Sequence, residues 1–184
     1  MMNEETDYAF LEGFAKQWLA AWNSHDTDIL LALLHPDIVW EDRTFWTEAL
    51  RGHGELRPYV DKIWTVMHDV RFEEIQAFFA RDQLRGVVLF RQFGSAPRSQ
   101  PEWKPFSTHG CDIFLEFKDG KLSHYMASYD IVDMMCQMGA LPARGEKVGG
   151  AYLLSLAGGR SGGRGNAAEG ERQGRPLPSD ADQA

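Results

Sequence analysis

Residues 38–45 read IVWEDRTF. Alternate residues of a strand face the same way, so Ile38, Trp40 and Asp42 share one side and Val39 and Glu41 take the other. That side carries an aliphatic group, then an indole, then a carboxylate. A carboxylate buried without a partner costs several kcal/mol, or its pKa rises until it is neutral. Asp42 therefore has two readings. It is a rim carboxylate, capping or paired with Arg43 or Arg51, or it is a pocket residue retained for proton transfer.

Working outward toward the N-terminus, residues from about Glu4 to Asn23 predict an amphipathic helix. Phe10, Leu11, Phe14, Trp18, Ala21 and Trp22 recur at three- and four-residue spacings. NSHDTD supplies a break and a cap, and DILLALLHPD predicts a short second helix ended by Pro36. On the other side, RGHGEL leads into a third helix, LRPYVDKIWTVMHD, with Leu56, Val60, Ile63, Trp64 and Met67 on one face. VRFEEIQAFFA, LRGVVLFRQFG, KPFSTHGCDIFLEFKDG and KLSHYMASYD then read as strands rich in β-branched and aromatic residues. SAPRSQPEW is a long exposed loop between two of them. Asp119-Gly120 is the strongest hairpin signal in the chain, and IVDMMCQMG, after Asp130, is a last short helix stopped at Gly139. Three helices with one strand inserted, followed by a run of antiparallel strands, make an α+β fold with helices on one side of a curved sheet.

The chain has 184 residues, 43% of them hydrophobic, with a formal charge of −8. That suits one globular domain, assigned to residues 1–142, and argues against nonspecific nucleic-acid or anionic-membrane partners. MMNEETDYAF lacks the basic and apolar regions of a signal peptide, and VGGAYLLSLAGG is too short and Gly-broken to span a bilayer. Cys111 and Cys136 form no motif and read as reduced thiols in a cytoplasmic protein. Residues 143–184 are assigned to a Gly-, Arg- and Glu-rich tail without periodicity, expected to be disordered, within which AYLLSL could dock weakly or nucleate a turn.

WLAAWNSHDTDILLALLHPDIVWED with LRGHGELRPYV resembles the opening of the nuclear transport factor 2-like superfamily. CDIFLEFKDGKLSHYMASYD, with the helix ending QMGALP, resembles its close. Within it the pattern is most similar to the SnoaL-like polyketide cyclases and the ketosteroid isomerases, over about Phe10 to Leu141. The resemblance implies a cone-shaped α+β barrel. Its strongly curved, mostly antiparallel sheet wraps an apolar pocket, with three N-terminal helices and a short C-terminal one, and members often dimerise through the outer sheet face. It places Asp42 where the isomerases carry a general base. Asp112 falls where they hold a protonated aspartic acid against an enolate. Trp18 stands where they have an oxyanion tyrosine, and Ala127 where the cyclases have an acid/base aspartate.

Proton abstraction beside a carbonyl needs a base near the C–H and a donor where the oxyanion forms. Asp42 and Asp112 are the catalytic candidates. Trp18, Trp40, Phe90, His109, Phe114, Tyr125 and Tyr129 are the candidate substrate-binding residues. His109 reaches the pocket only if Gly110 makes a bulge, because odd spacing otherwise sets it opposite Asp112. His124 is expected to face away from Tyr125, Ala127 and Tyr129. No metal-ligand spacing, glycine-rich phosphate cradle or nucleophile elbow is present, so no cofactor or metal is expected. The expected activity is acid–base chemistry on a hydrophobic carbonyl compound by a homodimer: aldol cyclisation of a polyketide, isomerisation or dehydration. The alternatives are a non-catalytic binding or dimerisation module of the same fold and, last, an epoxide hydrolase.

Overall fold

The aromatic repeat that opens the chain folds as α1, Glu4–Ser24, and it buries Leu11, Phe14, Ala15, Trp18, Ala21 and Trp22 along one stripe. The computed structural model describes residues 4–45, 47–80 and 83–156, with the side chains of 4–6 left aside. Residues 157–184, most of the expected tail, lie outside the described residues. Asp26 then caps α2, Thr27–Ala32, accepting from the amides of Asp28 (2.8 Å) and Ile29 (3.3 Å). This satisfies two of the amides that a helix start leaves without partners.

The strand β1, Leu34–Glu41, starts earlier than IVWEDRTF suggested. It takes Pro36 into the strand instead of leaving it as the helix stop. A two-residue β2, Leu50–Arg51, precedes α3, Gly52–Val66, which begins four residues before the expected LRPYVDKI run and buries Leu56, Tyr59 and Val60. The remaining strands are β3, Arg71–Phe79; β4, Gly86–Gly94; β5, Phe106–Lys118; and β6, Lys121–Tyr129. β5 and β6 are joined through Asp119 and Gly120, both at positive φ (50° and 73°), which is the backbone a two-residue hairpin demands. α4, Ile131–Met138, is capped by Asp130 and stopped by Gly139 at φ 87°.

The sheet is six-stranded and open, in the order β2-β1-β6-β5-β4-β3, with β1 parallel to β6 and every other pair antiparallel. The architecture is α+β with a curved, mostly antiparallel sheet, as the sequence pattern implied. α1 and α3 pack across its inner face, over a core of Trp18, Trp22, Trp40, Phe114 and Tyr125. A smaller cluster of Val70, Phe106, Met134 and Met138 joins α4 to the end of the sheet. AYLLSL lies in α5, Gly149–Ser155, a helix with no buried residue. Part of the segment expected to lack structure is therefore helical.

Candidate functional site

Ile38, Trp40 and Asp42 do share a face, and all three are buried; Asp42 is 1% exposed. Glu41 looks the other way, between Arg43 (2.9 Å) and His124 (2.8 Å). Arg43 is thus engaged by Glu41, and among the described residues no cation pairs with Asp42. Its partners are phenols instead. Tyr59 Oη, from α3, donates to Asp42 Oδ2 at 2.5 Å, and Tyr129 Oη, from the end of β6, donates to the same oxygen. Oδ1 is buried and makes no hydrogen bond of acceptable geometry. Burial raises the Asp42 pKa; the Tyr129 and Tyr59 hydroxyls and, more weakly, the nearby amides of Thr44 and Phe45 pull it back.

Asp112 is the second buried carboxylate, 4% exposed, in the middle of β5. Trp18 Nε1 donates to its Oδ2 at 2.8 Å, and Tyr125 Oη donates to its Oδ1. Burial pushes Asp112 up to about 7; the Tyr125 and Trp18 hydrogen bonds oppose that, and the nearby Asp42 charge adds to it. Asp112 pairs in register with Ala127, so a single methyl group occupies that position on the neighbouring strand. Two acids, each fastened by two aromatic donors, face one apolar space.

That space is a narrow pocket with a cavity of about 30 Å³ between the side chains. Asp42, Asp112, Trp40, Phe90, Tyr125 and Tyr129 line it, as do Phe45, Gln92, Met67 and Met134. Phe45, 43% exposed, stands at the mouth against Tyr59 and Tyr129, with ring centroids 6.2 and 5.8 Å away. Trp40, 1% exposed, lies deeper with its ring centroid 4.0 Å from that of Tyr125. Its indole Nε1 is buried and has no hydrogen-bond partner. Gln92, also buried, offers its Nε2 only to the thioether of Met134 at 3.9 Å.

Three expected ligand-binding residues sit elsewhere. Trp18 and Phe114 are wholly buried behind the pocket wall, where Trp18 fixes Asp112. His109 is exposed on the outer face, which corrects its assignment to the pocket. The ladder runs unbroken through Arg91–His109 and Phe90–Gly110, so there is no bulge to turn it inward. Gly110 serves close approach instead. A Cβ there would lie 2.5 Å from Phe90 Cζ and 2.9 Å from Tyr129 Cβ.

Tyr59 and Gln92 were absent from the expected site, yet both carried a signal. Tyr59 follows Leu56 by three residues and precedes Ile63 by four, which sets it on the inner helix face. Gln92 follows Phe90 by two in a strand. Among the described residues no group of three or more His, Cys, Asp or Glu gathers to hold a metal ion.

The curved, mostly antiparallel sheet with its helices on the inner face is similar to the ketosteroid isomerase-like fold. The SnoaL-like domain family matches residues 15–125, more than half of the chain, and the chain belongs to that family. No curated protein matches it. Among solved structures it is similar to a candidate isomerase from Bacillus subtilis, at 14% identity and TM-score 0.63, covering 76% of this chain and 98% of that one. A candidate SnoaL-like polyketide cyclase from Jannaschia sp. CCS1 aligns at 12% identity and TM-score 0.60, over 73% and 94%. AclR, a candidate hydroxylase from Streptomyces galilaeus, aligns at 19% identity and TM-score 0.59, over 82% and 91%. At such identities the likeness establishes the fold alone.

Proposed function

We propose that this protein is an enolising acid–base enzyme for a hydrophobic, ring-bearing carbonyl compound. The observation that carries this reading is the pair of buried carboxylates on one apolar pocket, held by phenols and an indole rather than by cations. Asp42 acts as the base. Oδ2 is committed to two tyrosines, which leaves Oδ1 to take a proton from the carbon beside the substrate carbonyl. Desolvation makes the carboxylate more basic, and the tyrosine hydrogen bonds favour its charged form.

Asp112 serves as the acid. When neutral, its hydroxyl donates to Tyr125 Oη and frees the Tyr125 O–H to meet the developing oxyanion, while Trp18 steadies the other carboxyl oxygen. Aldol cyclisation, double-bond isomerisation and dehydration all pass through this enolate and differ in the fate of the electron pair. Ala127 offers no third acid, so proton return falls to Asp42 or Asp112.

The partner expected besides the substrate is a second copy of the chain across the outer sheet face. The described residues contain no helix long and apolar enough to cross a membrane. The free Cys111 and Cys136 fit a reducing, cytoplasmic setting.

The test is solvent-deuterium incorporation into a panel of cyclic and polyketide-like ketones, read by mass spectrometry on wild type and Asp42→Asn. Wild type should exchange the carbon-bound hydrogen, and the variant should lose at least a hundredfold in rate, the scale of a positioned base. Equal exchange by both proteins sinks Asp42 as the base. Binding without exchange by either protein favours the binding module.

A further inference from the structure

We propose that the indole Nε1 of Trp40 is a ligand-oxygen donor in the inner part of the pocket. The substrate must then carry an acceptor oxygen at its leading end, apart from the carbonyl that enolises. This deepens the enolisation reading and rests on it for the identity of the reacting carbonyl. The argument starts from an imbalance. Of the buried polar atoms around the pocket, Asp112 is held by Trp18 and Tyr125 and Asp42 Oδ2 by Tyr59 and Tyr129, whereas Asp42 Oδ1, an acceptor, and Trp40 Nε1, a donor, have no partner. Trp40 lines the same pocket, is 1% exposed, and has its sole polar atom unpaired. An indole N–H cannot accept and cannot be relieved by changing protonation. Left unpaired in an apolar wall it is costly, and an acceptor oxygen entering the pocket that Trp40 lines would satisfy it.

Position makes the acceptor specific. Phe45, just past Asp42, is 43% exposed, whereas Ile38, Trp40 and Asp42 are each 1% exposed or less, so the chain leaves β1 toward the mouth and Trp40 lies on the inner side of Asp42. Trp40 pairs with Tyr125 on β6, whereas Asp112 pairs with Ala127, one inward-facing step along the same strand. Successive inward positions on a strand are separated by roughly 6–7 Å. The donor at Trp40 and the chemistry at Asp42 are therefore spaced along the pocket axis like two substituents of one rigid ring system. The pocket walls are largely aromatic, with Trp22, Phe72, Phe90 and Tyr125 among the lining residues. The class recognised is a flat cyclic ketone with a second oxygen at its far end, either a diketone or a hydroxy- or alkoxy-ketone.

The discriminating probes are 6-methoxy-1-tetralone and 6-ethyl-1-tetralone, which differ by one oxygen for one methylene at the leading end. Wild type should bind the methoxy ketone roughly three- to tenfold more tightly, the worth of one net hydrogen bond. Trp40→Phe should erase that preference while still binding the ethyl ketone. In wild type, the Trp40 indole N–H resonance should move downfield with the methoxy ketone only, a readout that does not need the variant to fold. Equal wild-type affinities, no binding of either ketone, or an unmoved resonance each overturn the proposal. Deuterium exchange into the same two ketones reports separately on enolisation. Preference without exchange would retain the Trp40 subsite and discard the base, and exchange without preference would do the reverse.

Discussion

At the scale of single residues, the proposed chemistry turns on how far burial keeps Asp112 neutral. Its pKa in the fold is about 7 against an unfolded value near 4, because burial penalises the charged form more than Tyr125 and Trp18 favour it. The folded state thus holds its proton more tightly than the unfolded state. Below pH 4 both states are protonated and nothing is lost. Between pH 4 and 7 the unfolded chain gives up the proton first, so stability falls as pH rises, then levels off above 7. The full loss is on the order of 4 kcal/mol. Asp42, raised in the same direction by burial, adds a smaller slope of the same sign. Denaturant titrations across pH 4–8 should show this fall in wild type and a flatter curve in Asp112→Asn. Parallel curves for the two proteins would mean that Asp112 is ionised in the fold.

At the scale of elements, β5 earns its accuracy from one glycine. Gly110 lets Phe90 and Tyr129 close together over the strand, and Tyr129 must arrive there to reach Asp42. Gly110→Ala should force those side chains apart at a cost of about 1–3 kcal/mol, the usual price of overpacking. It should also raise the Asp42 pKa further by removing a donor. A thermal melt unchanged from wild type would show that β4 and β6 adjust without strain. This glycine also shows why some of the site was illegible. In sequence, a bulge at Gly110 was the exception to plain alternation, and only that reading could have carried His109 inward. Whether a glycine bends a strand or admits a neighbour depends on residues twenty positions away. Pro36 is a similar case. It stopped the second helix on paper, whereas β1 absorbs it where the pairing with β6 skips from Leu34 to Val39, a stretch with no ladder amide to supply. The alternation of Ile38, Trp40 and Asp42 and the Asp119-Gly120 turn were legible because each depends on local geometry alone. The hydrogen bonds of Tyr59 and Tyr129 were not, since they join a helix, a strand end and a loop from three parts of the chain.

At the scale of the whole molecule, the pocket occupies the inner sheet face and leaves the outer one to be accounted for. Register sets Phe78, Val87, Ile113 and Met126 side by side across four strands, an apolar row that stays partly or fully exposed. Leu89 and Cys111 flank it in the next row. The sheet edges discourage strand-to-strand growth: β2 is two residues long, and β3 carries exposed Arg71, Glu73 and Glu74. Association is therefore expected face to face, between two copies, which covers the row on both and closes without leaving a further free surface. Sedimentation at micromolar concentration should give a dimer for wild type and a monomer for Val87→Glu, whose new carboxylate would meet apolar side chains at the interface. Near-UV circular dichroism should stay the same, since Val87 points away from the core that Val88 enters. Because Asp42, Asp112 and Trp40 face the opposite side of the sheet, the monomeric variant should retain the proposed exchange activity per chain. A dimer that survives Val87→Glu would move the interface elsewhere, and a monomeric wild type would mean that the apolar row serves another partner.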